Sequence, residues 1–407
     1  MNNNHIKAKE EPINQQVFKI PYEDSFIELP LCSNAEIAEL IPPYIEPLHY
    51  QQIIHSLKNP IGKEPLSEIA KGKNNVLIIL ENATRPLDTS FIALLIVKEL
   101  RQACVPDENI TFLFANGAHK DMEEHNFKIK LGKQFKNFKI INHDCEGELT
   151  NLGKTKLGSP ILINPLVLEA DLKIAIGTIE AHYGGGFSGG AKILFPGCAG
   201  LEWINNNHSL KRGEFGVVDN QWRNDTEESA GKVGIDFLVN AVLNYKREII
   251  GLYCGDWIKA HRGGIDLSFK ASAVKLPYKA DFCISGCSPF DLNFIQALKG
   301  LEMTRTVIKE DGTYVTLTSC HQGLGNHRWL LDKKMSEIRN KQNVDYHSSM
   351  TEIIYSTHLS EDELYSYYPK QVKLIDDINK LRQIIASLDK PGKKGIFLPY
   401  SPITILL

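Results

Sequence analysis

The sequence predicts an α/β fold of two wound units, and three observations carry that prediction. Short apolar runs alternate with helix-patterned stretches, the chemistry-bearing motifs follow directly after such runs, and the alternation restarts near Tyr278. A chain of 407 residues exceeds what one hydrophobic core usually organises, and a hydrophobic content of 43% is enough to fill two.

Val76 to Leu80, Ile110 to Ala115, Phe138 to Asn142 and Leu172 to Ile179 read as strands, because each is a short apolar run of the kind a covered parallel sheet requires. Thr89 to Ala103 and Lys120 to Phe135 between them have helical spacing. Gly234 to Tyr245 reads as a helix and Glu248 to Cys254 as a strand. A second strand–helix–strand series begins with YKADFCISGC at Tyr278, continues with a helix over Asn293 to Ile308 and closes with Thr313 to Leu317. The boundary is therefore expected between Asp266 and Pro277, giving a catalytic and cofactor-binding unit over 1–272 and a second unit over 273–407. Gln371 to Ser387 has helical apolar spacing, and the closing GIFLPYSPITILL is strand material able to return to the first unit.

Composition narrows the function classes. A net charge of -3 gives no basic excess for nucleic acid. The polar start MNNNHIKAKEEPINQQ lacks a signal-peptide core, and the run Phe91 to Val97 is too short to span a bilayer, so a soluble, cytoplasmic protein is expected. Eight cysteines occur without a C-x-x-C pair, and Cys283 and Cys287 read as small buried residues rather than metal ligands.

The densest chemistry lies in GTIEAHYGGGFSGGAKILFPGCAGLEWINNNH, from Gly177 to His208. Five glycines between Gly184 and Gly190 permit positive φ angles and a converging set of backbone NH groups. Gly184, Gly186 and Gly189 match G-x-G-x-x-G, but Pro196 and Gly197 interrupt the helix a dinucleotide site needs, and a Walker loop is excluded because Ala191, not lysine, follows Gly190. A plain glycine-rich turn carrying incidental histidines remains the structural alternative. His143 in INHDC reads as a structural residue at a strand end.

This segment resembles the signature of the nickel-pincer lactate racemase family: Glu180, His182, Tyr183, Gly186, Phe187, Ser188, Gly189, Gly190, Lys192, Pro196, Gly197 and His208. The resemblance extends upstream to Thr84, Arg85 and Pro86 and to Gly117 and His119, and downstream to Gln296 and Lys299. It implies racemisation or epimerisation at C2 of a small 2-hydroxy acid, with hydride transfer to a nickel-pincer nucleotide through a 2-keto acid. It also implies that Lys192 attaches the cofactor covalently, the alternative being an ammonium that pairs with a phosphate on the glycine loop, that His208 is the nickel ligand, and that His119 and His182 are paired acid–base groups. Asn82, Thr84, Gly186, Ser188, Gly189 and Gly190 are implied to line the cofactor.

Arg85 and Lys299 are candidates for the substrate carboxylate and Gln296 for a keto or hydroxyl oxygen, and the active site is expected in the cleft between the units. Two positions depart from the family pattern: Asn82 replaces an aspartate and Ile295 a tyrosine, which puts lactate itself in question as substrate. The alternatives from other classes are a zinc-dependent hydrolase using His119, His182 or His208, and a non-catalytic binding homologue.

Overall fold

The computed structural model describes residues 16–32, 34–82, 84–119, 127, 130–182, 184–328 and 349–407. Among these, the larger unit comprises Pro42–Lys275, 325–328 and Ile403–Leu407, and the smaller comprises 16–41, Leu276–Leu324 and 349–402.

The larger unit is built on a six-stranded sheet in the order Ile249–Gly255, Phe237–Leu243, Leu172–Thr178, Val76–Glu81, Ile110–Ala115, Lys139–Asn142. All neighbours are parallel except the first pair. Every residue of Val76–Glu81 is buried, as a strand covered on both faces must be. Successive side chains go to opposite cores: Ile78 and Leu80 pack with Ile92, Ile96 and Leu100 of the helix Thr89–Gln102, whereas Leu77 and Ile79 pack with Phe195 and Trp203. That helix starts where Asp88 accepts from the Ser90 amide at 2.9 Å.

From Val76–Glu81 the chain winds outward to Ile110–Ala115 and Lys139–Asn142, then returns to place Leu172–Thr178 on the opposite side. The carboxyl ends of Val76–Glu81 and Leu172–Thr178 thus flank the point where the winding reverses, the standard location for a site in an open α/β sheet.

Three expectations are corrected. Residues 234–245 are not a helix. Phe237–Leu243 is a strand, because the run FLVNAVL is nearly all buried between two neighbours, and a seven-residue apolar run has no periodicity to separate the two states. Residues 16–41 do not join the larger unit: Phe18, Ile20, Leu29 and Leu31 of the hairpin Gln16–Tyr22 and Ser25–Leu31 pack on Phe282 and Phe397, and Glu36–Glu39 pairs with Lys394–Leu398. Within 371–387, Lys373–Ile375 is a strand, and the helix Ile378–Leu388 begins only after its Asp377 cap. The expected helix over 120–135 falls largely outside the described residues.

The smaller unit has its own parallel sheet, ordered Lys373–Ile375, Thr351–Tyr355, Ile308–Leu317, Ala280–Gly286, Lys394–Leu398, Glu36–Glu39. The closing segment divides: Lys394–Leu398 stays in this sheet, while Ile405–Leu406 pairs with Ala273–Val274 of the larger unit. No helix among the described residues is long and apolar enough to cross a membrane.

A buried ion pair ties the smaller sheet to its helix Phe294–Thr306. Arg305 lies 3.0 Å from Glu352 and donates to the Tyr314 hydroxyl at 2.8 Å, and Tyr368 completes the carboxylate at 3.0 Å. Removing one member strands the other charge in the core, so Arg305→Met is expected to cost about 3–5 kcal/mol in chemical denaturation. The double variant Arg305→Met, Glu352→Leu should recover much of that loss. A double variant no more stable than the single one would show that the pair is not what holds this contact.

Candidate active site

Three loops rise from the carboxyl ends of neighbouring strands: 82–88 after Val76–Glu81, 116–119 after Ile110–Ala115, and 179–190 after Leu172–Thr178. The first is folded by its own side chains. Asn82 Oδ1 accepts from the Thr84 amide at 3.1 Å and from its hydroxyl at 2.6 Å, while Asn82 Nδ2 donates to the Asn116 carbonyl at 3.4 Å. Asn82 and Thr84, expected beside the cofactor, thus make the turn that presents Arg85.

Beneath that turn, Lys130 Nζ donates to the carbonyls of Arg85 at 2.7 Å and Leu87 at 2.6 Å, and lies 3.9 Å from Glu81. Glu81 accepts from the Thr178 amide at 2.8 Å and hydroxyl at 2.9 Å, joining the two central strand ends. Burial pushes the Glu81 carboxyl up and the Lys130 amine down, and the attraction between them opposes both shifts. Arg85 Nη1 donates to Glu180 Oε1 at 3.1 Å, so its guanidinium is oriented by a carboxylate from the third loop.

The third loop is a short hairpin in which Ala181–His182 pairs with Gly186–Phe187, setting His182 opposite Gly186. Ser188 is spent internally: its hydroxyl donates to the Thr178 carbonyl at 2.7 Å and accepts from the Glu180 amide at 3.0 Å. Arg223, 1% exposed on the helix Gln221–Val233, lies beneath and donates to the carbonyls of Gly185 and Gly189, each at 3.3 Å, and to that of Phe187. His261 Nε2 meets the Ser188 carbonyl at 2.8 Å, and Asn240 Oδ1 accepts from the Gly190 amide at 2.8 Å.

The glycines answer to this packing. A Cβ on Gly186 would stand 2.1 Å from the Val217 carbonyl oxygen, one on Gly189 2.6 Å from Asn240 Oδ1, and one on Gly190 2.9 Å from the His261 ring. Gly186, Gly189 and Gly190 therefore serve the protein's own close contacts.

Lys192 runs along the other side of the loop, where a Cβ on Gly185 would lie 3.3 Å from its Cδ and 3.5 Å from its Nζ. Burial, reinforced by the Arg223 and Arg85 guanidiniums, holds its amine well below the ordinary lysine range. His208, on the helix Leu201–Ser209, is held well below the ordinary imidazole range by burial and then by the charges of Lys192, His327 and Arg212. Its ring centroid lies 4.4 Å from that of Trp222. His119 sits 4.4 Å from His327, ring centroid to ring centroid. The structure thus brings Arg85, Lys192 and His208 within electrostatic reach of one another, sets His119 against His327, and holds His182 opposite Gly186 on the hairpin whose Gly185 adjoins Lys192.

Gln296 and Lys299 belong to the smaller unit, on Phe294–Thr306, and share a face: Lys299 Nζ donates to Gln296 Oε1 at 2.9 Å and stands 3.8 Å from the Phe290 ring centroid. Ile295 is buried, with its amide on the Leu324 carbonyl at 3.2 Å.

Glu81, Lys130, Arg223, Asn240, His261 and His327 were missed from sequence. Two left a trace: Glu81 is a carboxylate ending an apolar run, and Arg223 precedes Glu227 by one helical turn. His143 takes the structural role expected, its Nε2 on the Ala199 carbonyl at 2.9 Å and its Nδ1 facing Asn164 Nδ2 at 3.2 Å.

Fold and site together define an α/β enzyme with basic and nucleophilic side chains at a topological switch point. Residues 22–215 match the family model of the lactate racemase N-terminal domain. The chain is 32% identical over 324 residues to the lactate racemase of Lactiplantibacillus plantarum, covering 75% of each, and 31% identical over 301 residues to that of Thermoanaerobacterium thermosaccharolyticum, covering 70% of each. The solved lactate racemase apoprotein of the latter organism superposes with a TM-score of 0.77 at 23% identity, covering 96% of this chain and 100% of that one. A protein from Thermotoga maritima superposes at 0.65 with 19% identity, covering 89% and 100%. The chain belongs to the lactate racemase family and is an isomerase of the racemase type.

Two outcomes follow from the geometry. Arg223→Met removes a buried cation shared by three loop carbonyls and is expected to cost about 3 kcal/mol or more. The loop 184–190 should then lose amide protection before the central strands do, as read by hydrogen exchange; unchanged protection would exclude Arg223 as its anchor.

His143 titrates in the opposite sense to a salt-bridged histidine. Burial pushes it down from 6.5 to about 4, so its contribution is complete above pH 6.5 and is lost as pH falls toward 4, because the unfolded chain takes up the proton first. The loss amounts to about 3 kcal/mol. Over that window His143→Gln should unfold with a pH slope smaller by one proton, and an unchanged slope would place the acid sensitivity elsewhere.

Proposed function

We propose that this chain interconverts the two configurations at C2 of a small 2-hydroxy acid through a 2-keto acid, using a nickel-pincer nucleotide held by Lys192 and His208. The observation carrying the reading is that Lys192, His208, His119 and Arg85 converge at the switch point of a lactate racemase family fold.

The residues present fit such a group. Lys192 lies along Gly185, and burial lowers the affinity of its amine for a proton, which favours the neutral form that attacks a thiocarbonyl carbon. His208 supplies an imidazole nitrogen beside an aromatic wall, a donor suited to nickel among soft sulfur ligands. When bound, the cofactor supplies an electrophilic acceptor for the C2 hydrogen as hydride, which avoids a second negative charge beside the carboxylate.

The chain's own work is then binding and proton transfer. Arg85, oriented by Glu180, offers a guanidinium fork to a carboxylate, and Lys299 and Gln296 are proposed for the carboxylate and the keto oxygen. One of His119 and His182 takes the hydroxyl proton as C2 loses hydride, leaving the keto acid. Once the keto acid has turned its other face, the second histidine would give a proton to its oxygen as C2 regains hydride, leaving the hydroxy acid of opposite configuration. Histidine suits both roles because its ordinary pKa, ~6.5, lies near the working pH. Among the described residues no group of three His, Cys, Asp or Glu side chains is placed to hold a metal, so the zinc-hydrolase alternative has no ligand set there.

The test is protein made in a host that produces the cofactor, assayed for bound nickel, intact mass and racemisation of D- and L-2-hydroxy acids. An adduct on the Lys192 peptide that disappears in Lys192→Ala is expected, together with lower nickel retention in His208→Ala. His119→Ala and His182→Ala should each lose racemisation by about 10²-fold or more. An adduct on another residue, or full racemisation in either histidine variant, would overturn the corresponding assignment.

A further inference from the structure

We infer that His327 is a positioning residue for His119, setting the imidazole that the proposed function uses as an acid–base group; the inference rests on that reading. The two rings meet with centroids 4.4 Å apart and planes at 85°, so the edge of one imidazole abuts the face of the other. The same two residues also form an antiparallel backbone bridge. One residue further on, the Arg328 amide donates to the Ala118 carbonyl at 2.8 Å, while the Arg328 guanidinium holds Asp144 and lies 3.3 Å from Glu146. The segment 325–328 is thus held against the loop 116–119 by that backbone bridge and tied by the Arg328 side chain to Asp144 and Glu146, and His327 is the side chain it delivers against His119.

The need for such a contact is physical. His119 ends the loop, and the torsion between its Cβ and ring is broad and weakly preferred. A proton-transferring group must hold its nitrogen within hydrogen-bond reach of one oxygen, and a displacement of about 1 Å can cost 10²-fold. A ring packed at 85° against it limits that torsion.

The experiment uses wild-type, His327→Ala and His327→Phe protein, each as nickel-loaded holoprotein with D- and L-lactate as probes and as apoprotein for NMR of the His119 ring protons. For His327→Ala, kcat is expected to fall about 10- to 100-fold with KM within about twofold of wild type, because His327 touches His119 rather than substrate. His327→Phe keeps a flat ring edge and should restore kcat to within about fivefold. In the apoprotein the His119 signals should move in the alanine variant and return toward their original positions in the phenylalanine variant. Unchanged kcat in His327→Ala, unmoved His119 signals, or a phenylalanine variant as impaired as the alanine one would each overturn the inference. If wild-type holoprotein racemises neither lactate enantiomer, the racemase reading fails on this probe, and the His119 signals alone decide the contact.

Discussion

The site depends on one buried cation. Arg223 draws the carbonyls of Gly185, Phe187 and Gly189 inward, and a guanidinium with five donors in a fixed plane is the side chain able to satisfy several carbonyls from one point. With carbonyls turned to the interior, the loop is drawn onto the helix Gln221–Val233 closely enough that a Cβ on Gly184 would stand 2.4 Å from the Trp222 ring. Glycine richness here follows from that close approach. The same charge acts on the outer side of the loop, where it helps to keep the Lys192 amine below its usual range. One residue thereby shapes the loop and lowers the proton affinity of the Lys192 amine resting on it.

A second constraint lies under the neighbouring loop. Glu81 and Lys130 are both nearly removed from water, and neither charge would be tolerable alone. Glu81 joins the strands through Thr178, Lys130 holds two carbonyls of the Arg85 turn, and Glu180 receives Arg85 from the other side. Arg85 is consequently fixed at both its backbone and its side chain, and a guanidinium held in this way has little further freedom to lose on meeting an anion.

The fold was legible where the chemistry of burial is repetitive. Val76–Glu81, Ile110–Ala115 and Leu172–Thr178 are short apolar runs, and a covered parallel strand has no other sequence to choose. The motifs after them stood out by residue type, and those at Arg85, His119 and the glycine-rich hairpin fall on loops at strand ends. Phe237–Leu243 was read as helix because burial on both faces erases the alternation that marks a strand. The hairpin from Gln16 to Leu31 shows clear alternation, but nothing local states which of two cores will accept it. Arg223, His261 and His327 were unreadable for a related reason: their roles are defined by carbonyls and rings far away in sequence.

The two departures from the family pattern separate once their surroundings are known. Asn82 supplies an acceptor to Thr84 and an amide donor to the Asn116 carbonyl, and an aspartate could supply only the first. Asparagine therefore keeps the turn, gains a link between the first two loops, and avoids adding a carboxylate beside Glu81 and Glu180, whose charges Lys130 and Arg85 already oppose. Ile295 is of another kind: at 4% exposure its side chain is packed within the smaller unit, and a larger phenol there would have to displace neighbours as well as place a hydroxyl. Of the two, Asn82 changes the charge carried by the loop of Arg85, whereas Ile295 changes only packing and a hydroxyl within the smaller unit.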